Sequence, residues 1–159
     1  MNAIIELIMI ISQKGLNFHI MPQRISVVLA SYNGAEFIIE QLDSIREQTM
    51  KPDEVIIADD FSTDGTFEIC RKYIGDNNLK GWIVYRNSEN MGVSQNFREA
   101  LMKSTGDYIF TCDQDDIWIP DKISAMSTAM NEHPEIFLLA SNYIPVRNGE
   151  RIEHSYIKY

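Results

Sequence analysis

The chain has 159 residues, 45% of them hydrophobic, 23% charged and 10% aromatic, with a mean hydropathy of −0.19. These proportions are those of soluble globular domains and exclude collagen, extensive disorder and a polytopic membrane protein. A net charge of −9 repels phosphate backbones, so nucleic acid is not the expected partner, and a phosphorylated ligand would need a metal ion or helix dipoles to be tolerated. The length suits one domain with a sizeable core. Cys70 and Cys112 stand far apart in no metal spacing, which fits a reducing, cytoplasmic setting and suggests no nucleophile.

Residues 1–21 form an N-terminal extension ahead of a domain over 22–159. The apolar run Ala3 to Ile11 is broken by Glu6 and falls short of the about 20 residues that span a bilayer. It also lacks the basic flank and cleavage site of a secretory signal. An extra helix or an upstream start before Met21 is the plainer reading, and a helix lying on a membrane or partner is the alternative.

From Ile25 onward strand and helix signals alternate. Ile25 to Ser31 reads as a buried strand, and Asn33 with Glu36 resembles a capping box for a helix bearing Ile38, Leu42, Ile45 and Thr49. Pro52 closes that helix, and Val55 to Ala58 is the second strand. Ser62, Thr63 and Asp64 offer caps for a helix presenting Phe67, Cys70 and Ile74. Trp82 to Tyr85 is the third strand, followed by a polar loop from Asn87 to Gly92. Val93, Phe97, Ala100 and Leu101 line the next helix, with Gly106 as its expected C-cap. Tyr108 to Cys112 is the fourth strand. Pro120 suits the first position of a helix with core face Ile123, Met126, Ser127 and Met130. Pro134 ends it, and Ile136 to Ala140 is expected as a fifth strand.

This alternation implies βαβ units, a mainly parallel sheet and helices on both faces. Ligands of such sheets gather at the carboxyl ends of the strands. Tyr32-Asn33, Asp59-Asp60 and Asp113 to Asp116 all stand there. Carboxylates so crowded are solvated, protonated or held by a hard cation such as Mg²⁺ or Mn²⁺. Period-two alternation would turn Asp113 and Asp115 to one side and leave room for phosphate oxygens. An EF-hand fails because Trp118 and Ser124 stand where Gly and Glu are required, and no P-loop is present. An Asp-x-Asp phosphatase of the haloacid dehalogenase type is the weaker rival, since Ile117 and the fourth-strand position both depart from its motif.

Three segments resemble family 2 inverting glycosyltransferases: Ile25 to Asn33, Val55 to Thr66 with Asp59-Asp60-Phe61-Ser62-Thr63-Asp64-Gly65, and Gly106 to Asp116. Asn90-x-Gly92 fits the same pattern, and Asp113-Gln114-Asp115-Asp116-Ile117-Trp118 is similar to bacterial rhamnosyltransferase-like enzymes of polysaccharide assembly. The resemblance covers about 22–145. It implies a GT-A fold, a Rossmann-like three-layer α/β sandwich shortened at its C-terminus, with a nucleotide-sugar donor and a divalent metal (Mg²⁺ or Mn²⁺). It puts Tyr32 against the nucleobase, with Ala30 and Ser31 supplying backbone around it. It makes Asp60 the acceptor of the nucleobase N3–H, which suits uracil or thymine. Asp113 becomes a ribose or metal-water contact, Asp115 the direct metal ligand, and Asp116 a supporting or substrate-facing group. Asn96 either approaches the nucleotide or is solvated on its helix. Asp59, Asp64 and Asp107 read as turn, cap and strand-flanking residues.

In that family the general base lies well downstream of Asp-x-Asp, in the acceptor-binding half. No residue from Ile136 to Tyr159 matches it; Glu150 and Glu153 lie in a weakly patterned polar segment. Two functional expectations follow. One is a glycosyltransferase, or its donor half, that uses a UDP- or dTDP-sugar and a saccharide or lipid-linked acceptor in cell-surface polysaccharide synthesis, cytoplasmic or peripheral at the inner face of the plasma membrane. The other is a non-catalytic nucleotide-sugar-binding module or one part of a split enzyme, whose exposed edges invite self-association or a partner carrying the acceptor half.

Overall fold

The computed structural model describes residues 23–142, 144, 146–147 and 150–151. The expectation for residues 1–21 lies outside these. Four strands, β1 (Ile25–Ser31), β2 (Glu54–Asp59), β3 (Trp82–Arg86) and β4 (Tyr108–Asp113), form one parallel sheet in the order β3-β2-β1-β4. Helix α1 (Ile38–Arg46) joins β1 to β2, α2 (Thr66–Asp76) joins β2 to β3, and α3 (Val93–Leu101) joins β3 to β4. Helix α4 (Lys122–Glu132) follows, and β5 (Val146–Arg147) with β6 (Glu150–Arg151) makes a small antiparallel ribbon.

The continuous apolar runs exist because both sheet faces are covered. Val27, Leu29, Val55, Ile57, Phe110 and Cys112 pack with Ile38, Leu42 and Ile45 of α1, Cys70 and Tyr73 of α2, and Ile123, Met126 and Met130 of α4. The alternate residues Val28, Ile56, Ala58 and Ile109 meet Phe97, Ala100 and Leu101 of α3 on the opposite face. Each fully buried aliphatic side chain contributes about 1.5–3 kcal/mol, so this three-layer packing is the main source of stability. The connection from β3 crosses to the far side of β1, which makes the β1–β4 junction the point where strand order reverses.

Several local expectations are corrected. Ile136 to Ala140 is not a strand. The chain turns at the end of α4, with Ile136 N–H bonded to the His133 carbonyl at 3.0 Å, and Phe137 and Leu138 are exposed. Asn33 and Glu36 form no capping box. The Asn33 Oδ1 accepts from Thr63 N–H instead, and α1 starts two residues after Glu36. Helix α1 ends at Arg46, so Gln48 is buried where Thr49 was expected. In α2 the buried residues are Thr66, Cys70 and Tyr73, while the expected Ile74 packs against the core half-buried and Phe67 lies under Arg86. Pro120 precedes α4 and lends its carbonyl to Thr49 N–H at 2.7 Å. Gly106 does not cap α3; a Cβ there would overlap Ser26. Among the described residues no helix is long and apolar enough to cross a membrane.

Candidate functional site

Register brings the polar clusters together. Ala30, buried in the central strand, pairs with Ala58 on one side and Asp113 on the other, and Ser31 pairs with Asp59. The carboxyl ends of β1, β2 and β4 therefore present Tyr32, Asp59-Asp60 and the Asp113–Asp116 turn along one edge, at the reversal point where α/β sheets bind ligands. Tyr32 is 48% exposed there.

Asp59, the last residue of β2, and Asp60, the residue after it, differ. Asp59 is fully buried and its Oδ2 accepts from Ser62 N–H (3.1 Å) and Arg86 Nε (2.9 Å), while Oδ1 has no partner among the described residues. Arg86 also reaches Glu68 at 3.4 Å and lies over the Phe67 ring. Burial, with the Asp59 charge added, pushes the Cys70 thiol up to about 12, which removes it from nucleophilic chemistry. Asp60 is only 2% exposed. Its Oδ1 accepts from Asn87 Nδ2 and Met91 N–H, both at 2.9 Å, and its Oδ2 from Gly92 N–H at 2.8 Å. A carboxylate offers about four acceptor positions, so one remains, on Oδ2.

Asn96 is not a solvated surface residue. It is 2% exposed, donating to the Ala58 carbonyl (2.9 Å) and accepting from Asn87 Nδ2 (2.9 Å). It thus braces the loop between β3 and α3 against β2. Sequence reasoning did not single out Asn87 or Arg86, because their partners are 27 residues away.

The acidic turn departs from the expected alternation. Strand β4 stops at Asp113, and Gln114 and Asp115 lie in a turn, so period two does not set the Asp115 direction. Asp115 is exposed, and Asp116 folds back so that its Oδ2 accepts Asp113 N–H at 3.0 Å. Burial, then the charges of Asp116 and Asp115, raise the Asp113 carboxyl to about 6. Among the described residues no three His, Cys, Asp or Glu side chains converge on one metal position. The donor set nevertheless fits a hard divalent ion held by Asp113 and Asp115 with its other positions filled by ligand or water oxygens. Gln114, unremarked in the sequence, pairs its side-chain amide with the backbone of Tyr32. A separate groove of about 310 Å³ lies between α1 and Ile117–Pro120. It is lined by none of Tyr32, Asp60 or Asp113 and holds an Asp43 already bonded to Arg46 and Tyr73.

The chain is similar to several proteins of named activity. The UDP-Glc:alpha-D-GlcNAc-diphosphoundecaprenol beta-1,3-glucosyltransferase WfaP of Escherichia coli is 36% identical over 119 residues, 75% of this chain and 45% of WfaP. The fold matches GT-A glycosyltransferase structures. S. aureus TarS 1-349 in complex with UDP aligns with a TM-score of 0.62 at 30% identity, over 70% of this chain and 33% of that one. The mannosyltransferase PcManGT from Pyrobaculum calidifontis, in complex with GDP-Man and Mn²⁺, aligns at 0.58 and 30%, over 62% of this chain and 29% of that one. The chain therefore spans less than half the length of these proteins. The model of Glycosyl transferase family 2 matches residues 26–158, and the chain belongs to that family.

Proposed function

We propose that this chain carries the donor site of an inverting glycosyltransferase, taking a UDP- or dTDP-sugar and passing the sugar to a saccharide or lipid-linked acceptor in cell-surface polysaccharide synthesis. The observation that carries the reading is the meeting of an exposed aromatic, Tyr32, with the Asp113–Asp116 turn at the β1–β4 reversal point. In this reading the Tyr32 ring stacks on the base, and the remaining acceptor position of Asp60 Oδ2 takes the base N3–H. Ala30 contributes backbone beneath the base, and Asn96 acts by holding the Asn87–Gly92 wall. Asp113 and Asp115 would hold a divalent cation, which when bound supplies a Lewis acid for the departing nucleoside diphosphate. Asp116 keeps the turn closed through the Asp113 N–H. The carboxylate that takes the proton of the attacking hydroxyl belongs, on this proposal, to the portion of the relatives that this chain does not span. The lipid-linked acceptor in the name of WfaP supports work at a membrane surface, which this proposal places at the inner, cytoplasmic face. The rhamnosyltransferase-like Asp113–Trp118 stretch makes dTDP the nucleotide to compare with UDP.

Calorimetric titration with UDP and with dTDP, in Mn²⁺ and in EDTA, tests this. One of the two is expected to bind in the micromolar to millimolar range and only with the cation. Equal binding in EDTA removes the metal assignment, and binding of neither nucleotide removes the donor site.

A further inference from the structure

Gln114 stands between the two carboxylates assigned to the cation, yet its side chain reaches across the reversal point to β1. Its Oε1 accepts Tyr32 N–H at 2.7 Å and its Nε2 donates to the Tyr32 carbonyl at 3.0 Å. That pairing also fixes the amide orientation, since the reversed amide would set two donors against each other. Tyr32 lies one residue beyond the last residue of β1 and is half-exposed. The next residue, Asn33, sits at a φ of 49°. Beyond it, Gly34 has no side chain, and a Cβ at that position would overlap the Gln114 amide. The turn leaving β1 is thus shaped to receive this glutamine.

We infer that Gln114 is a positioning residue that fixes the backbone of Tyr32 and so sets where its ring is presented to the nucleobase. This inference rests on the donor-site reading and deepens it. The acidic turn and the aromatic platform then form one unit, and the glutamine between the aspartates tunes the grip on the base without touching it. Two modest hydrogen bonds, both open to solvent, correspond to an effect of about three- to tenfold on ligand affinity.

The test uses the full chain as wild type, Gln114→Ala and Gln114→Met, the last keeping length and volume without an amide. Hydrogen exchange at the Tyr32 amide is read by NMR without ligand, and UDP and pyrophosphate are titrated separately in Mn²⁺. Both variants should speed Tyr32 exchange about tenfold and weaken UDP about three- to tenfold, leaving pyrophosphate within about twofold of wild type. Wild-type UDP affinity in Gln114→Met would reduce the glutamine to a space filler and overturn the inference. Unchanged Tyr32 exchange overturns it too, as does an equal loss for UDP and pyrophosphate, which would mean damage to the turn itself. A wild-type chain that binds neither ligand defeats the donor reading and this role with it, whereas normal wild-type binding with unaffected variants defeats the role of Gln114 alone.

Discussion

Asp60→Asn is expected to cost about 3 kcal/mol of stability, or about 6–12 °C in Tm, and to weaken UDP more than tenfold. Three donors converge on this buried carboxylate: Asn87 Nδ2, Met91 N–H and Gly92 N–H. An asparagine there has one acceptor oxygen. Whichever way its amide turns, the NH₂ faces at least one donor, and the bonds that survive lose their charge assistance. The better orientation keeps Asn87 and Met91 and sets the NH₂ against Gly92 N–H. Gly92 holds a φ of 82°, a conformation the carboxylate helps to pin at the start of α3. The same NH₂ would occupy the one acceptor position left for a base N–H. Thermal unfolding with parallel titration of UDP and pyrophosphate separates the two roles. Pyrophosphate should weaken far less than UDP. Equal losses would show that Asp60 acts through the Asn87–Gly92 loop alone.

Why some of this was legible in the sequence and some was not has physical causes. The strands β1, β2 and β4 were plain because both sheet faces are buried, so Val27-Val28-Leu29 or Ile56-Ile57-Ala58 had to be apolar without a break. Helix faces followed where tertiary contacts obeyed the period, as at Ile123, Met126 and Met130. They failed where a helix was shorter than its apolar spacing, as at Thr49. Ile136 to Ala140 has strand composition but pairs with no strand among the described residues, and the chain turns at its start, where Ile136 N–H bonds to the His133 carbonyl. The site was legible as residue types at strand ends. Its wiring was not, because the hydrogen bonds that Asp60 accepts from Gly92 N–H, and those between Gln114 and Tyr32, are set by which strands become neighbours. Asp116 shows the limit most directly. Beside Asp115 it reads as another outward carboxylate, and only the turn geometry reveals that it bonds to Asp113 N–H.

Asp113→Asn is expected to make the unliganded chain more stable at pH 7.5, by about 1 kcal/mol or 2–4 °C, while lowering Mn²⁺-dependent UDP affinity at least a hundredfold. The carboxyl of Asp113 is raised to about 6, first by burial and then by its neighbours Asp116 and Asp115. In the unfolded chain it titrates near 3.9. Between these values the folded protein keeps a proton that the unfolded chain has released. The contribution of this group is therefore fully present below pH about 4, fades as pH rises through about 6, and stays lost above that. Because Asp113 is only half-buried, solvent screening reduces the effect, hence the modest figure. An asparagine of the same shape carries no charge to oppose, so its stability should not follow this pH course. On the proposed donor-site reading this penalty has a use: a divalent cation held at the turn would relieve the repulsion among its carboxylates. Unfolding midpoints of both proteins in EDTA from pH 4 to 7.5, with Mn²⁺ and UDP titrations at the upper end, give the comparison. The gap between variant and wild type should open through pH 4–6 and then level off. A gap that stays constant, or an Asp113→Asn chain that keeps Mn²⁺-dependent nucleotide binding, would remove Asp113 from the cation site.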